Sequence, residues 1–264
     1  MSSVLLFRSP SLTPREDDYH KVLLDAGFKP FSIPVLSFKF ENQQELVQKL
    51  EKSGDYGGMI LTSQRAVEAI EKCVTDIISQ EVWRTKMAKI WQQKCIFVVG
   101  KATRNAASDK LGLESSGFEA GSAESLVPII LQAVEPGSNP LLFPCGNLRR
   151  ETIPVEMAKA GIVLDGVQAY TTCADPKIKE SLKDFVMEKG FPSYAVFFSP
   201  SGVTFTEEIL SGLSGWHENV KLVAIGKTTA EAMKSKSWNV TAVAEKPSPQ
   251  ALAQCIANSS KAMA

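Results

Sequence analysis

The 264-residue sequence predicts an α/β fold made of two similar domains with parallel sheets, and three observations carry the prediction. Short apolar runs alternate with amphipathic segments from end to end, each run is continuous rather than alternating apolar with polar, and the pattern occurs twice. Continuous runs are what parallel strands need when helices cover both faces, and strand–helix alternation marks a doubly wound α/β sheet.

Taken in order, the predicted strands are VLLF (4–7), GMIL (58–61), CIFVV (95–99), PLLF (140–143), YAVFF (194–198) and KLVAI (221–225). Helical periodicity appears in RAVEAIEKC (65–73), SAESLVPIILQAV (122–134) and SPQALAQCI (248–256). In the first of these, Ala66, Val67, Ala69, Ile70 and Cys73 form one apolar stripe, which places Cys73 in the core. Residues 79–94, with Trp83 and Trp91, read as an added helix whose tryptophans serve packing. PVLSFKFEN (34–42) and QAYTTCADP (168–176) are β-prone and end in turn residues, which suits extended connectors.

The repeat is internal and ordered. VLLFRSPS near the start is echoed by PLLFPCGNLRR from Pro140, GMILTSQRAVEAI by AVFFSPSGVTFTEEI, and IFVVGKATRNAASDKLG by LVAIGKTTAEAMKSKS. Thr62 then falls against Ser199, Gly100 against Gly226, and Thr103 against Thr229. The chain reads as unit A, unit B, unit A, unit B. Two pairings are open on the repeat alone. Continuous domains would divide near residue 138; alternatively the first A joins the last B, with the middle inserted and chain crossings near 36–40 and 168–174.

Composition narrows the function. Lys plus Arg and Asp plus Glu both number 29, so no net field attracts nucleic acid or an anionic membrane. Any anionic ligand must be held by local donors. Five scattered cysteines without a CxxC pair, and only His20 and His217, argue against a disulfide framework and a metal centre. The opening apolar run Val4–Phe7 is too short for a signal peptide, and no stretch approaches the ~20 residues that span a bilayer. The expectation is a reduced, cytosolic protein in which the sequons at Asn239 and Asn258 are accidental.

Ligands of open α/β sheets sit beyond the carboxyl ends of the strands, where helix N-termini offer free N–H groups and a positive dipole end. Four turns fit: Thr62-Ser63-Gln64-Arg65, Gly100-Lys101-Ala102-Thr103, Ser199-Pro200-Ser201-Gly202 and Gly226-Lys227-Thr228-Thr229. A fifth, Pro144-Cys145-Gly146-Asn147, leads into Arg149 and Arg150. Any single Ser or Thr here reads as an N-cap worth ~1 kcal/mol. Five like turns, duplicated between halves, point instead to carboxylate or phosphate binding.

Other chemistries fail on spacing. GKTT at 226–229 has Lys221 where a phosphate-binding loop needs glycine, and Gly100-Lys101 has Cys95 there. No GxGxxG follows a strand and no GxSxG elbow occurs. Both histidines read as surface residues, and Cys145 as a buried, inert thiol.

The segments YGGMILTSQRAVEAIEKC, VVGKAT, LLFPCGNLRRE, FFSPSGVTF, AIGKTTAEAM and SPQALA, in this order over nearly the whole chain, resemble uroporphyrinogen-III synthases of the animal type. The resemblance implies two flavodoxin-like domains joined by a two-stranded linker around a wide, mobile cleft. It also implies the interleaved pairing, with residues 1–36 and 173–264 as domain 1 and 37–172 as an inserted domain 2. The implied reaction belongs to haem biosynthesis. Hydroxymethylbilane loses its terminal hydroxyl as water, and the azafulvene cation is attacked through a substituted ring carbon. The spiro intermediate then rearranges to uroporphyrinogen III with ring D inverted, without metal or coenzyme.

Residue by residue, Tyr170 matches the family's cleft tyrosine. It reads either as proton donor to the departing hydroxyl or as a linker residue bonding backbone. Thr103 and Thr229 match hydroxyls that face the cleft, and both join Tyr170 as catalytic candidates. Ser63, Arg65, Arg149, Ser199, Lys221 and Thr228 match positions suited to the substrate's eight carboxylates. Lys101 and Lys227 depart from the family, where relatives carry other residues. The implied partners are hydroxymethylbilane and, transiently, the preceding pathway enzyme, with the chain a monomer away from nucleic acid and membrane. Two other classes share the fold pattern, a module that closes on a small anion without chemistry and a flavin-binding electron carrier. Turnover of hydroxymethylbilane would exclude the first, and a purified protein without flavin absorbance the second.

Overall fold

The structure, a computed structural model, describes residues 1–10 and 17–261; Ser11, the last residue of the opening repeat motif, lies outside them. The first quarter of the chain forms β1 (Ser3–Phe7), α1 (Asp18–Asp25), β2 (Lys29–Ser32), β3 (Leu36–Phe40), α2 (Gln43–Glu51), β4 (Gly58–Leu61) and α3 (Gln64–Cys73). Then come α4 (Gln80–Val82), α5 (Ala88–Trp91), β5 (Cys95–Val98), α6 (Lys101–Ala106), α7 (Ala123–Ala133), β6 (Leu141–Gly146), α8 (Thr152–Lys159) and β7 (Leu164–Ala174). The last third contains α9 (Ile178–Lys189), β8 (Tyr194–Phe197), α10 (Pro200–Ser211), α11 (Trp216–Asn219), β9 (Lys221–Ala224), α12 (Lys227–Ser235), β10 (Val240–Val243) and α13 (Pro249–Lys261).

The chain divides into two compact units, Met1–Ser37 with Cys173–Ala264 (unit 1) and Phe38–Thr172 (unit 2). Each holds one five-stranded sheet, in the order β10-β9-β8-β1-β2 and β3-β7-β6-β4-β5. The paired strands β1–β2, β1–β8, β8–β9 and β9–β10 are parallel, as are β4–β5, β4–β6 and β6–β7. This is the α/β class with parallel sheets that the apolar runs predict.

Both faces of each sheet are buried, which is why the strands read as unbroken apolar runs. In β4, Met59 and Leu61 pack with α2 and α3 residues, while Ile60 between them packs with Leu126 and Ile130 of α7. In β1, Leu5 and Phe7 join one cluster, Val4 and Leu6 the other. Each such Leu or Ile contributes about 1.5–3 kcal/mol by leaving water. The stripe on α3 is buried as predicted, Cys73 included at 0% exposure.

Sequence patterning missed some elements. Two edge strands went unread: β2 (KPFS) contains Pro30 and no apolar run, and β10 (VTAV) is short and half exposed. A proline suits an edge, where its missing N–H has no ladder partner. The connectors at 36–40 and 168–174 prove to be β3 and the end of β7, neighbours in the unit 2 sheet. The added helix at 79–94 is broken into α4, a π-helical stretch Trp83–Met87 and α5. Its tryptophans do pack, and each indole N–H finds a buried carbonyl, Trp83 on Leu111 at 2.9 Å and Trp91 on Leu50 at 3.1 Å. Such satisfaction is what burying an indole demands.

The repeat register also needs one correction. Leu61 and Phe197 both end strands, and Ser63 and Ser199 both cap the following helix by accepting from Ala66 and Gly202 N–H. Ser63, not Thr62, is therefore the counterpart of Ser199, and Thr62 corresponds to Phe198. Gly100 and Gly226 remain paired as helix starts, and Thr103 and Thr229 with them.

Candidate functional site

Parallel pairing brings the carboxyl ends of β4, β5, β6 and β7 to one edge of the unit 2 sheet. A pocket of about 400 Å³ opens there. Its polar wall is Thr62, Ser63, Ser122, Tyr170 and Thr172, its apolar wall Val99, Phe143, Leu148 and Ile153, and Arg149 and Arg150 supply positive charge. No lining residue is acidic. Two helices begin at the pocket: α3, capped by Ser63, and α7, whose cap Ser122 accepts from Ser125 N–H at 3.2 Å.

Tyr170 is aimed by a defect in the sheet. The β6–β7 register steps from Cys145–Gln168 to Gly146–Tyr170 and skips Ala169. A bulge of this kind re-aims the next side chain. The phenol ring lies against the Gly146 backbone, where a Cβ would stand 2.5 Å from a ring carbon, so any larger residue would push the ring out of this position. Phe38 meets the ring edge-on at 6.4 Å between centroids. The Tyr170 hydroxyl is 2.9 Å from Ser63 Oγ. Burial pushes the phenol above its ordinary value; hydrogen bonding to Ser63 and the charge of Arg65 act against that rise, and Cys145 adds to it. The group is therefore a neutral phenol at neutral pH.

The loop after β6 is stitched to β7 beside this tyrosine. Asn147 N–H donates to the Tyr170 carbonyl at 3.2 Å, and its Oδ1 accepts from Thr172 N–H at 2.8 Å. The predicted fifth turn is corrected accordingly: Pro144, Cys145 and Gly146 belong to β6, and the turn starts at Asn147. Arg149 pairs with Glu151 at 3.2 Å and points a guanidinium N–H at Cys145 Sγ at 3.4 Å. Arg150 pairs with Glu124 at 3.5 Å. Exposed pairs like these are worth about 0–1 kcal/mol, so either arginine can exchange its partner for a ligand carboxylate at little cost.

Of the residues singled out in the sequence, Ser63, Arg149 and Tyr170 meet at this pocket, joined by Thr62, Gly146 and Arg150 from the predicted turns. Arg65 does not line it; its guanidinium pairs with Glu68 and lies 4.2 Å from the Phe38 ring centroid. Thr103 is buried in the first turn of α6, and Thr229 likewise in α12, with Thr228 exposed beside it. Ser199 caps α10 in unit 1. Lys221 is the outlier. It opens β9, at the amino end of the strand, with its ammonium 5.3 Å from the Tyr194 ring centroid, whereas Ser199 and Thr228 follow carboxyl ends. His217 is exposed as expected, but His20 is half-buried and bonded to Ser32 Oγ at 2.8 Å. Cys145 is buried.

Sequence reasoning overlooked Thr172 and the Gly121-Ser122 turn. The last carried a usable signal, a serine three residues before Ser125 at the head of an apolar helix. Thr172 carried none, since its place depends on the β7 bulge.

Fold and site together define an α/β protein of two repeated units, one with an acid-free, arginine-bearing pocket at the carboxyl ends of its parallel strands. The sequence model described as uroporphyrinogen-III synthase HemD matches residues 17–254, and the chain belongs to that family, cyclising lyases of tetrapyrrole biosynthesis. It is 28% identical to uroporphyrinogen-III synthase of Schizosaccharomyces pombe, over 97% of this chain and 96% of that one. With the Saccharomyces cerevisiae uroporphyrinogen-III synthase the identity is 26%, over 91% and 90%. Two solved structures share the fold. Uroporphyrinogen-III synthetase from Helicobacter pylori has a TM-score of 0.63 at 15% identity, over 98% of this chain and 99% of that one. A mutant uroporphyrinogen III synthase from Thermus thermophilus has a TM-score of 0.60 at 15% identity, over 99% and 100%.

Proposed function

We propose that this chain converts hydroxymethylbilane to uroporphyrinogen III, losing water and inverting ring D, with Tyr170 as proton donor to the departing hydroxyl. One observation carries the assignment of the donor: a half-buried neutral phenol stands in a pocket lined by two arginines and no acid. Hydroxide is a poor leaving group because water has a pKa of about 15.7, so even a phenol above its usual value near 10 is acid enough to help it depart. A carboxylic acid is not needed, and among the substrate's own carboxylates it would add repulsion.

The arginines and the N-termini of α3 and α7 are assigned to substrate carboxylates. Binding groups remote from the bond being made hold the chain coiled, an entropic contribution to rate. At about 400 Å³ the pocket lies toward the small end for drug-sized ligands, so it takes part of a linear tetrapyrrole rather than all of it. Further carboxylate partners in the same proposal are Arg65, Ser199 and Thr228, with Thr103 and Thr229 as paired first-turn hydroxyls, all supported by the family resemblance. Lys221 enters on the resemblance alone. The interleaved domain pairing also belongs to the proposal, supported by the division into two compact units. So does a monomer working in the cytosol and meeting the preceding pathway enzyme transiently. Among the described residues no helix is long and apolar enough to cross a membrane.

The test is to incubate the protein with hydroxymethylbilane and separate the product isomers. The inverted isomer should dominate for the wild type, and Tyr170→Phe, which keeps the ring, should turn over on the order of 10²-fold more slowly while leaking the non-inverted isomer. Only the non-inverted isomer at the spontaneous rate defeats the cyclase reading. A wild-type rate from folded Tyr170→Phe removes the tyrosine as donor.

A further inference from the structure

We infer that Ser63 is a positioning residue acting through Tyr170: its hydroxyl donates to Tyr170 Oη, leaves the phenol proton free for the departing oxygen, and holds the phenolate that results. The inference rests on the reading of Tyr170 as proton donor.

Either hydroxyl can donate in this bond, and the donor role of Tyr170 selects the direction with Ser63 donating. Ser63 Oγ is the cap of α3 and accepts from Ala66 N–H at 3.2 Å. It has one hydrogen to give, and Tyr170 Oη lies 2.9 Å away. Were the phenol to donate to Ser63, its only proton would already be engaged. With Ser63 donating, the chain runs from Ala66 N–H to Ser63 O–H to Tyr170 O–H, each bond polarising the next toward the pocket. The chain starts in the first turn of a ten-residue helix, where the dipole favours negative charge.

The charged and titratable groups that bear on Tyr170 come from two elements. Arg65 on α3 favours the phenolate and Cys145 on β6 opposes it, with Arg149 bonded to that thiol. The bond to Ser63 also favours the phenolate.

The step balances. The carbon–oxygen bond breaks with its electron pair on oxygen, the Tyr170 proton completes water, and the pyrrole nitrogen lone pair stabilises the carbon left behind. The net reaction loses only water, so the proton is returned after the spiro intermediate has opened, when the unsubstituted ring-D carbon that closes the macrocycle sheds its hydrogen. A phenolate held by Ser63 is the base in place to receive it.

Four variants test this: Ser63→Gly, Ser63→Thr, Tyr170→Phe and the Ser63→Gly/Tyr170→Phe double. Glycine is nearly as good a cap, so a fold kept in thermal melts is expected. A hydrogen bond to a charged group is worth about 10–100-fold, so Ser63→Gly should lower kcat by that factor at unchanged KM, and Ser63→Thr should restore most of it. In the Tyr170→Phe background Ser63→Gly should cost nothing more. Spectrophotometric titration, taken as the difference from Tyr170→Phe, should show the Tyr170 phenol ionising at higher pH in Ser63→Gly. Equal costs in both backgrounds, or a raised KM at unchanged kcat, would overturn the inference in favour of direct carboxylate binding by Ser63. Should Tyr170→Phe itself keep full turnover, the donor reading has failed, and the titration still reports whether Ser63 bonds the phenol.

Discussion

The two units carry the same strands in the same order, β7-β6-β4-β5 in one and β2-β1-β8-β9 in the other, yet their carboxyl edges differ. In unit 2 Thr62 follows β4 and lines the pocket. In unit 1 the equivalent residue is Phe198, packed edge-on against Tyr19 at 5.1 Å. Strand register puts Arg8 where unit 2 has Cys145. Arg8 lies 4.7 Å from the Tyr19 ring centroid and 5.4 Å from that of Phe198, and pairs with Asp17 at 3.1 Å. The largest difference is in strand length, eleven residues in β7 against four in β2, so no residue of β2 reaches the place of Tyr170. One scaffold thus serves two ends. An aromatic and a cation fill the edge in unit 1, while a threonine, a bulge and a glycine open it in unit 2.

The comparison breaks most violently at Cys73. Its counterpart in unit 1 is Ile209, and Cys73 itself is fully buried. Cys73→Arg would place an unpaired charge in the unit 2 core and should cost about 3–5 kcal/mol, a large part of a typical stability. Tryptophan fluorescence separates the units, since Trp83 and Trp91 are in unit 2 and Trp216 and Trp238 in unit 1. In urea titrations the first pair should be exposed at lower denaturant than in wild type; unchanged midpoints would refute the burial of Cys73.

A gentler probe of the same position is pH. Burial, then the charge of Asp76, raise the Cys73 thiol from 9.0 to about 11, with Lys72 opposing. Between those values the unfolded chain has released a proton that the folded chain still binds. Stability is therefore complete below pH 9 and falls as pH rises toward 11, by on the order of 2–3 kcal/mol. Comparing urea midpoints at pH 8 and pH 10.5 should show a steeper loss for wild type than for Cys73→Ala. Parallel losses would mean the thiol is not the cause.

The smallest effect sharpens the repeat itself. Thr103 and Thr229 are buried at equivalent places, at 5% and 4% exposure. If both serve one substrate as paired hydroxyls, Thr103→Ala and Thr229→Ala should each lower kcat/KM about five-fold, near 1 kcal/mol, with little change in melting temperature. A loss confined to Thr103→Ala would make the edge of unit 1 a structural remnant. Lost stability at unchanged kcat/KM would reduce both to helix-start packing.

What the sequence determined by itself is what neighbours within about ten residues encode. Continuous apolar runs marked β1, β4, β5, β6, β8 and β9 because both faces of those strands are covered. Helix spacing marked the buried stripe of α3, and the Ser63 and Ser199 caps were legible because a cap acts on N–H groups only three residues away. Ordered motifs over most of the chain marked the family. The tertiary structure decided which groups meet. Ser63 and Tyr170 touch across 107 positions of sequence, through a bulge that no periodicity announces. Arg65 is drawn to Glu68 and Phe38, away from the pocket it borders in sequence, and Lys221 stands at the amino end of its strand. Strand register and side-chain packing set these distances, and both arise only when segments far apart in the chain are laid side by side.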